Sequence, residues 1–300
     1  MTNNSGNKDF RSGYVALIGR PNVGKSTLLN SILGEKVAIV TPRPQTTRNR
    51  IIGIKTLPDA QIIFMDTPGI HQPKNRLGEA MIKTAVDSLG EVDIVLFMVE
   101  ARGPGKSEHM IMNFMRDMST PVFLLINKID EVKKQELLPV IEKYKEFHSF
   151  REIIPISALT QDGVDILMSR ICEYLPHGPQ FYSDDLVTDQ LERFMAGEII
   201  REKIMELTEE EIPHSVAVQV NTWKEREDGL VSINCNIFVE RDGQKAIIIG
   251  KDGSMLKSIG TKARIDIEKL LNAKVFLELW VKVKKNWRND NRLLRELGYL

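Results

Sequence analysis

Between Tyr14 and Leu175, short apolar runs alternate with stretches of helical periodicity. "YVALIG", "RIIGIKTL", "QIIFMD", "DIVLFMV", "PVFLLINK" and "EIIPIS" are rich in Val and Ile and end in turn residues, which predicts buried strands. "KSTLLNSILG", "AMIKTAVDSL", "HMIMNFMRDM", "LLPVIEKYKEF" and "VDILMSRICEYL" read as the covering helices. Strands and helices in alternation imply an α/β domain with a mostly parallel sheet. Only "PDA" separates "RIIGIKTL" from "QIIFMD", too short for a crossover, so these two strands are expected to pair antiparallel.

The segment "LPHGPQFYSDD" concentrates Pro and Gly and marks a linker. Beyond it the order becomes helix, strand, strand, helix, turn, helix, strand. The expected division is a disordered N-terminus at 1–12, a first domain at 13–176, a linker at 177–186 and a second domain with a C-terminal tail at 187–300.

Composition adds little until it is taken by region. Lys plus Arg equals Asp plus Glu at 41 each, so no overall field favours nucleic acid or membrane. The balance hides a polarised second domain: residues 184–228 hold 13 acids against 5 bases, and residues 241–295 hold 14 bases against 6 acids. Two distant cysteines, Cys172 and Cys235, exclude a disulfide scaffold or a zinc cluster. The first dozen residues lack a signal-like apolar region, and no run is long and apolar enough for a transmembrane segment, so a cytoplasmic setting is expected.

"GRPNVGKST" follows a strand and opens a helix, the context that gives G-x-x-x-x-G-K-[ST] its meaning. Its N–H groups and the helix N-terminus suit phosphate oxygens. Gly19, Asn22, Val23, Gly24, Lys25, Ser26 and Thr27 form the expected phosphate cradle. Lys25 would reach the β- and γ-phosphates, and Ser26 would offer its hydroxyl to Mg²⁺. "DTPG" ends a strand 40 residues on, where Asp66 can hold Mg²⁺ through water and the Gly69 amide can face a γ-phosphate. In "NKID" (Asn127, Lys128, Ile129, Asp130), the Asp130 carboxylate can accept two hydrogen bonds from a guanine edge; adenine would leave it unpaired. Backbone amides of "ISAL", at Ser157, Ala158 and Leu159, could meet the guanine O6. The loop "TPRPQTTRNR" supplies a Mg²⁺-binding threonine. Thr47 is preferred, with Thr46 as rival because spacing alone does not separate them.

A second glycine-lysine turn, "IIIGKDGSMLKSIG", cannot hold a triphosphate: Asp252 stands where Ser or Thr is needed. It does fit G-x-x-G, with Gly250, Lys251, Asp252 and Gly253 between two helical segments, a turn that lets a single-stranded backbone pass close by. Lys245, Lys257, Lys262 and Arg264 are further candidates on the same basic face. "AIII" reads as core. Trp280 and Trp287 could stack bases, although alternation with apolar neighbours favours a packed Trp280.

Together these motifs resemble the translation-factor-like family of small GTPases, and within it the bacterial members with a C-terminal RNA-binding domain. The resemblance runs from about Tyr14 to Tyr299. It implies a P-loop G domain with a mostly parallel six-stranded sheet and one antiparallel strand, followed by an α+β type II KH domain. The implied activity is hydrolysis of GTP to GDP with Mg²⁺, positioned by Lys25, Thr47, Gly69 and Asn22. The implied partners are the small ribosomal subunit and its RNA near the 3′ end. Related loops carrying this asparagine can also recruit K⁺. Ile70 stands where other GTPases place a water-orienting glutamine, so slow turnover is implied. A monomer is expected. The alternative reading takes "VKVKKNWRNDNRLLREL" as a basic amphipathic helix docking on a protein or peripherally on the inner face of the cell membrane, but Asp290 and Glu296 interrupt its bases.

Overall fold

The computed structural model describes residues 9–300, so the expected disorder at 1–8 lies outside the described residues. The chain forms two compact units. One holds residues up to Ala38 with Thr47–Pro73 and Met81–Asp189; the other holds Ile39–Thr46, Lys74–Ala80 and Gln190–Leu300.

In the first unit, β1 (Arg11–Gly19) leads through the first glycine loop into α1 (Lys25–Leu33). The hairpin β2 (Ile51–Thr56) and β3 (Ala60–Asp66) follows, then α2 (Arg76–Asp87), which belongs to this unit from Met81 onward, β4 (Ile94–Glu100), α3 (Lys106–Met115), β5 (Val122–Asn127), α4 (Lys134–Lys145), β6 (Glu152–Pro155) and α5 (Val164–Tyr174). The sheet order is β2-β3-β1-β4-β5-β6. β2 pairs antiparallel with β3 and the other neighbours are parallel. β5 is buried along its whole length, and β4 up to its last residue, as expected for central strands covered on both faces. Ile18, Val95, Phe97, Leu124 and Ile126 share a core with helix residues Ile111, Met115 and Tyr144.

Two boundaries move. β1 starts at Arg11, inside the stretch expected to be disordered, because the Arg11 amide donates to the Asp59 carbonyl and the Ser12 amide to the Pro176 carbonyl. Residues 177–186 run along the first unit rather than hanging free. The Gln61 side chain accepts from the Phe181 and Tyr182 amides at 2.8 and 2.9 Å and donates back to the Tyr182 carbonyl at 2.9 Å. Farther on, the Ile54 amide donates to the Val187 carbonyl at 2.7 Å, and the Thr188 hydroxyl donates to the Ile52 carbonyl at 2.6 Å. The units divide at Asp189 and Gln190.

The second unit runs α6 (Glu192–Leu207), α7 (Ile212–Ser215), β7 (Ala217–Glu225), β8 (Val231–Val239), α8 (Asp242–Ile249), α9 (Ser254–Leu271), β9 (Val275–Val283) and α10 (Asn291–Glu296). Its sheet is β7-β8-β9, with β7 antiparallel and β9 parallel to β8. That is the helix, strand, strand, helix, helix, strand order with the parallel pair that marks a type II KH domain. Ile200, Ile233, Cys235, Ile237, Ile248, Ile259 and Ile267 fill its core. The tail is no continuous amphipathic helix. β9 extends through Val283, a 3₁₀ turn spans Trp287–Asn289, and α10 is restarted by the Asp290 carboxylate accepting from the Arg292 and Leu293 amides.

Candidate nucleotide site and nucleic-acid groove

The first glycine loop sits where β1 ends and α1 begins. Gly24 has φ +106°, and a Cβ there would lie 2.2 Å from the Asn127 side-chain nitrogen, so neither backbone nor space admits another residue. Lys25 is buried, its Nζ donating to the Arg20 carbonyl at 3.1 Å and the Gly19 carbonyl at 3.4 Å. Burial pushes its pKa down to about 8, against the opposing attraction of Asp66.

Three oxygens converge on one spot. Ser26 Oγ donates to Asp66 Oδ2 at 2.6 Å, Thr47 Oγ1 donates to the same oxygen at 3.2 Å, and the two hydroxyls lie 2.9 Å apart. Burial pushes the Asp66 carboxyl up, with Lys25 and the two hydroxyls pulling it back. Asp66 Oδ1 is buried and has no hydrogen-bond partner among the described residues. An orphaned carboxylate oxygen beside two hydroxyls is a hard-oxygen donor set that fits Mg²⁺. The Thr46 hydroxyl instead donates to the Arg43 carbonyl at 2.7 Å and lies 2.8 Å from Thr41 Oγ1, away from this cluster.

"DTPG" is pinned beside the loop. The Thr67 hydroxyl donates to the Leu17 carbonyl at 2.7 Å and the Ile70 amide to the Gly19 carbonyl at 3.0 Å, setting Gly69 against Pro21. Ile70 itself is wholly buried in the core and cannot orient a water.

At the ends of β5 and β6, Asn127 is buried, donating to the Val23 carbonyl at 2.7 Å and accepting from the Ala158 amide at 2.9 Å. The Ser157 amide donates to the Asp162 carbonyl, leaving Leu159 as the exposed part of "ISAL". Asp130 is exposed on the 3₁₀ turn Ile129–Glu131, and Lys128 enters that turn at φ 64°. Sequence reasoning missed Glu100, whose carboxylate meets Lys128 at 2.7 Å, Arg20 at 3.1 Å and Arg102 at 2.5 Å, joining the glycine loop to "NKID". Lys128 and Arg20 lie 28 and 80 residues from it, so no spacing announces the link between the two loops.

In the second unit, α8 stops at Gly250 (φ 73°), where a Cβ would lie 2.7 Å from that of Met255. The turn Lys251–Gly253 leads into α9 with Lys251 and Asp252 exposed. Beside it a groove of about 430 Å³ runs between α9 and β9, lined by Gly253, Lys257, Gly260, Arg264, Phe276 and Leu279 among others. Lys245 and Lys262 are not among the lining residues. The aromatic expectations are corrected. Trp280 is 56% exposed, because it shares the open face of β9 with Phe276 and Glu278. Trp287 is wholly buried and donates to the Ser215 carbonyl at 2.8 Å. Phe276, half-exposed in the groove, went unnoticed in the sequence. Ile248 is core as expected, whereas Ile247 faces outward. No helix among the described residues is long and apolar enough to cross a membrane.

Comparison with known proteins follows this division. Residues 14–128 match a family model described as 50S ribosome-binding GTPase, and residues 211–288 match a KH domain. The chain is 57% identical over 292 residues to GTPase Era of Geobacter metallireducens, covering 97% of this chain and 98% of that one. Against GTPase Era of Lacticaseibacillus paracasei it is 55% identical over 294 residues, 97% of each chain. A crystal structure of Era in complex with MgGDPNP and nucleotides 1506–1542 of 16S ribosomal RNA is 45% identical, with TM-score 0.93 over 97% of this chain and 99% of that one. With such identity across both units, this chain belongs to the Era family of GTPases.

Proposed function

We propose that this protein is a Mg²⁺-dependent, GTP-hydrolysing switch that binds single-stranded small-subunit ribosomal RNA near its 3′ end through the KH unit, assisting small-subunit assembly. The observation that carries the reading is the convergence of Ser26, Thr47 and Asp66 on one buried spot, beside a lysine at the start of α1. Mg²⁺ bound there would neutralise charge on the β- and γ-phosphates. Lys25 supplies a fixed positive charge, the loop amides cradle phosphate oxygens, and the Gly69 amide faces the γ-phosphate. Asp130 selects guanine. The attacking water is oriented without a side chain from position 70, and K⁺ beside Asn22 is the proposed further charge.

The choice of RNA rests on the full-length relative solved with 16S RNA, which matches both units. The 50S description belongs to a model covering residues 14–128 alone. The exposed Lys251 turn and the groove beside it are the corresponding surface here. A cytoplasmic location fits this role.

The test uses the full chain, a single-stranded oligomer of the ribosomal 3′ end, anionic vesicles, and GTP with Mg²⁺ or with EDTA. GTP should be hydrolysed only with Mg²⁺. Lys251→Asp should lose most RNA affinity and flatten its salt dependence, by about 0.7 in log-log slope for each phosphate no longer neutralised. Undiminished RNA binding in folded Lys251→Asp, or binding to vesicles in place of RNA, would refute the RNA assignment.

A further inference from the structure

Arg20, the second residue of the first glycine loop, makes contacts through both its backbone and its side chain. Its carbonyl accepts from Lys25 Nζ at 3.1 Å. Its guanidinium meets two carboxylates: Nη2 donates to Glu100 Oε2 at 3.1 Å, and Nε lies 2.6 Å from Glu108 Oε1 as an ion pair. Glu100, at the end of β4, also holds Lys128 and Arg102. Glu108, in the first turn of α3, is 3% exposed, and its other oxygen accepts from the Gly105 amide at 3.0 Å. All of these residues lie in the first unit.

Capping α3 does not by itself call for a charge at position 108. One oxygen satisfies the Gly105 amide, and a glutamine would serve that amide equally well. A buried carboxylate is costly unless a cation meets it, and the cation beside Glu108 is Arg20. Arg20 in turn stands at the hub of the loop. The neighbouring Gly19 carbonyl accepts from the Ile70 amide at 3.0 Å and from Lys25 Nζ at 3.4 Å. A planar guanidinium fixed by carboxylates on two different elements limits where its own backbone can move. Asn127 holds the loop farther along, at Val23, and the Arg20 side chain holds its beginning.

We propose that Glu108 and Arg20 are a positioning pair for the phosphate loop: braced by Glu100, they fix the Arg20 carbonyl and with it the lysine that meets the β- and γ-phosphates. This rests on the GTPase reading above. Neither side chain touches a reacting atom. The β-phosphate is held in GTP, in the transition state and in GDP alike, so the pair strengthens binding throughout and leaves the rate of the bound complex alone.

The experiment follows release of a fluorescent GDP from the full chain, single-turnover GTP hydrolysis over a range of protein concentrations, and unfolding by denaturant. Glu108→Gln keeps an oxygen for the Gly105 amide but turns an uncharged, N–H-bearing group on Arg20. It should release GDP about tenfold faster and raise the half-saturating concentration by a similar factor, the scale of one lost charge-assisted contact. The hydrolysis rate at saturation should stay within about twofold of wild type. The double variant Arg20→Met/Glu108→Gln leaves neither charge of the pair buried alone; it should release GDP at least as fast, and it carries the test if Glu108→Gln does not fold. A merely structural pair would move the denaturant midpoint and leave GDP release and half-saturation where they are. A folded variant with wild-type GDP release, or one whose saturated rate falls while its half-saturating concentration holds, overturns the proposal. Wild type that fails to hydrolyse GTP overturns the GTPase reading instead.

Discussion

The side-chain amide of Asn127 donates to the Val23 carbonyl at 2.7 Å, joining the end of β5 to the first glycine loop across 104 residues. The same side chain accepts from the Ala158 amide at 2.9 Å, so one buried residue sets the spacing between phosphate loop and base-reading loops. Asn127→Ala strands a buried carbonyl and a buried amide, each costing about 1–3 kcal/mol. Thermal stability should fall, and GTP and GDP affinity should fall together by more than about tenfold. Titration with a fluorescent nucleotide reads this; wild-type affinity would remove Asn127 from the frame of the site.

Asp130 is exposed where the 3₁₀ turn leaves β5, so changing it leaves the fold alone. In Asp130→Asn the amide donates where the carboxylate accepts, and preference should move from guanine towards xanthine. Competition between GTP and XTP is the measurement. A folded mutant that still prefers GTP would place base recognition elsewhere.

Ile70 is buried and offers no polar group to an attacking water. If K⁺ sits beside Asn22, turnover in potassium should exceed turnover in sodium several-fold in wild type and converge in Asn22→Ala. Equal rates in both salts for the wild type would end this assignment.

The two exposed aromatics of β9 should behave differently. Phe276 lines the groove with Lys257 and Arg264, whereas Trp280 does not. A base stacked on an aromatic contributes about 1–3 kcal/mol, so Phe276→Ala should weaken RNA binding roughly tenfold or more while Trp280→Ala stays near wild type. The reverse order would move the bases out of the groove and towards Trp280.

The cysteines report on opening of the second unit. Burial pushes the Cys235 thiol up to about 12, whereas Cys172 is only partly buried. The thiolate is the reactive form, so at pH 8 folded Cys235 is almost entirely protonated and should label far more slowly than Cys172. Raising the pH towards 12 increases its thiolate fraction, and denaturant should bring the two rates together. Fast native labelling of Cys235 would contradict its place in the core.

Much of the nucleotide site was legible because its residues lie at strand ends within short motifs that require particular side chains. Gly24, Lys25, Ser26 and Asp66 are of this kind. Thr46 and Thr47 were not separable, because two adjacent hydroxyls differ only in which way the chain turns. Here the Arg43 carbonyl captures one and leaves the other facing Asp66. Trp280 was misjudged because alternation in a strand gives two faces without saying which is covered. Glu100 was invisible because Lys128 and Arg20, the partners through which it joins two loops, lie 28 and 80 residues away. The tail, read as a helix in the alternative, is instead broken where Asp290 caps a new turn.

The segment from Pro176 to Thr188 carries a consequence for handling the protein in pieces. β2 is the end strand of its sheet, and Val187 and Thr188 occupy the hydrogen-bonding side that β3 leaves open. An uncovered end strand is a template on which a second molecule can add. A fragment ending at Pro176 would bare that template and self-associate, while one ending at Asp189 would keep its own cover. What composition marks as a spacer is, for the first unit, protection against aggregation.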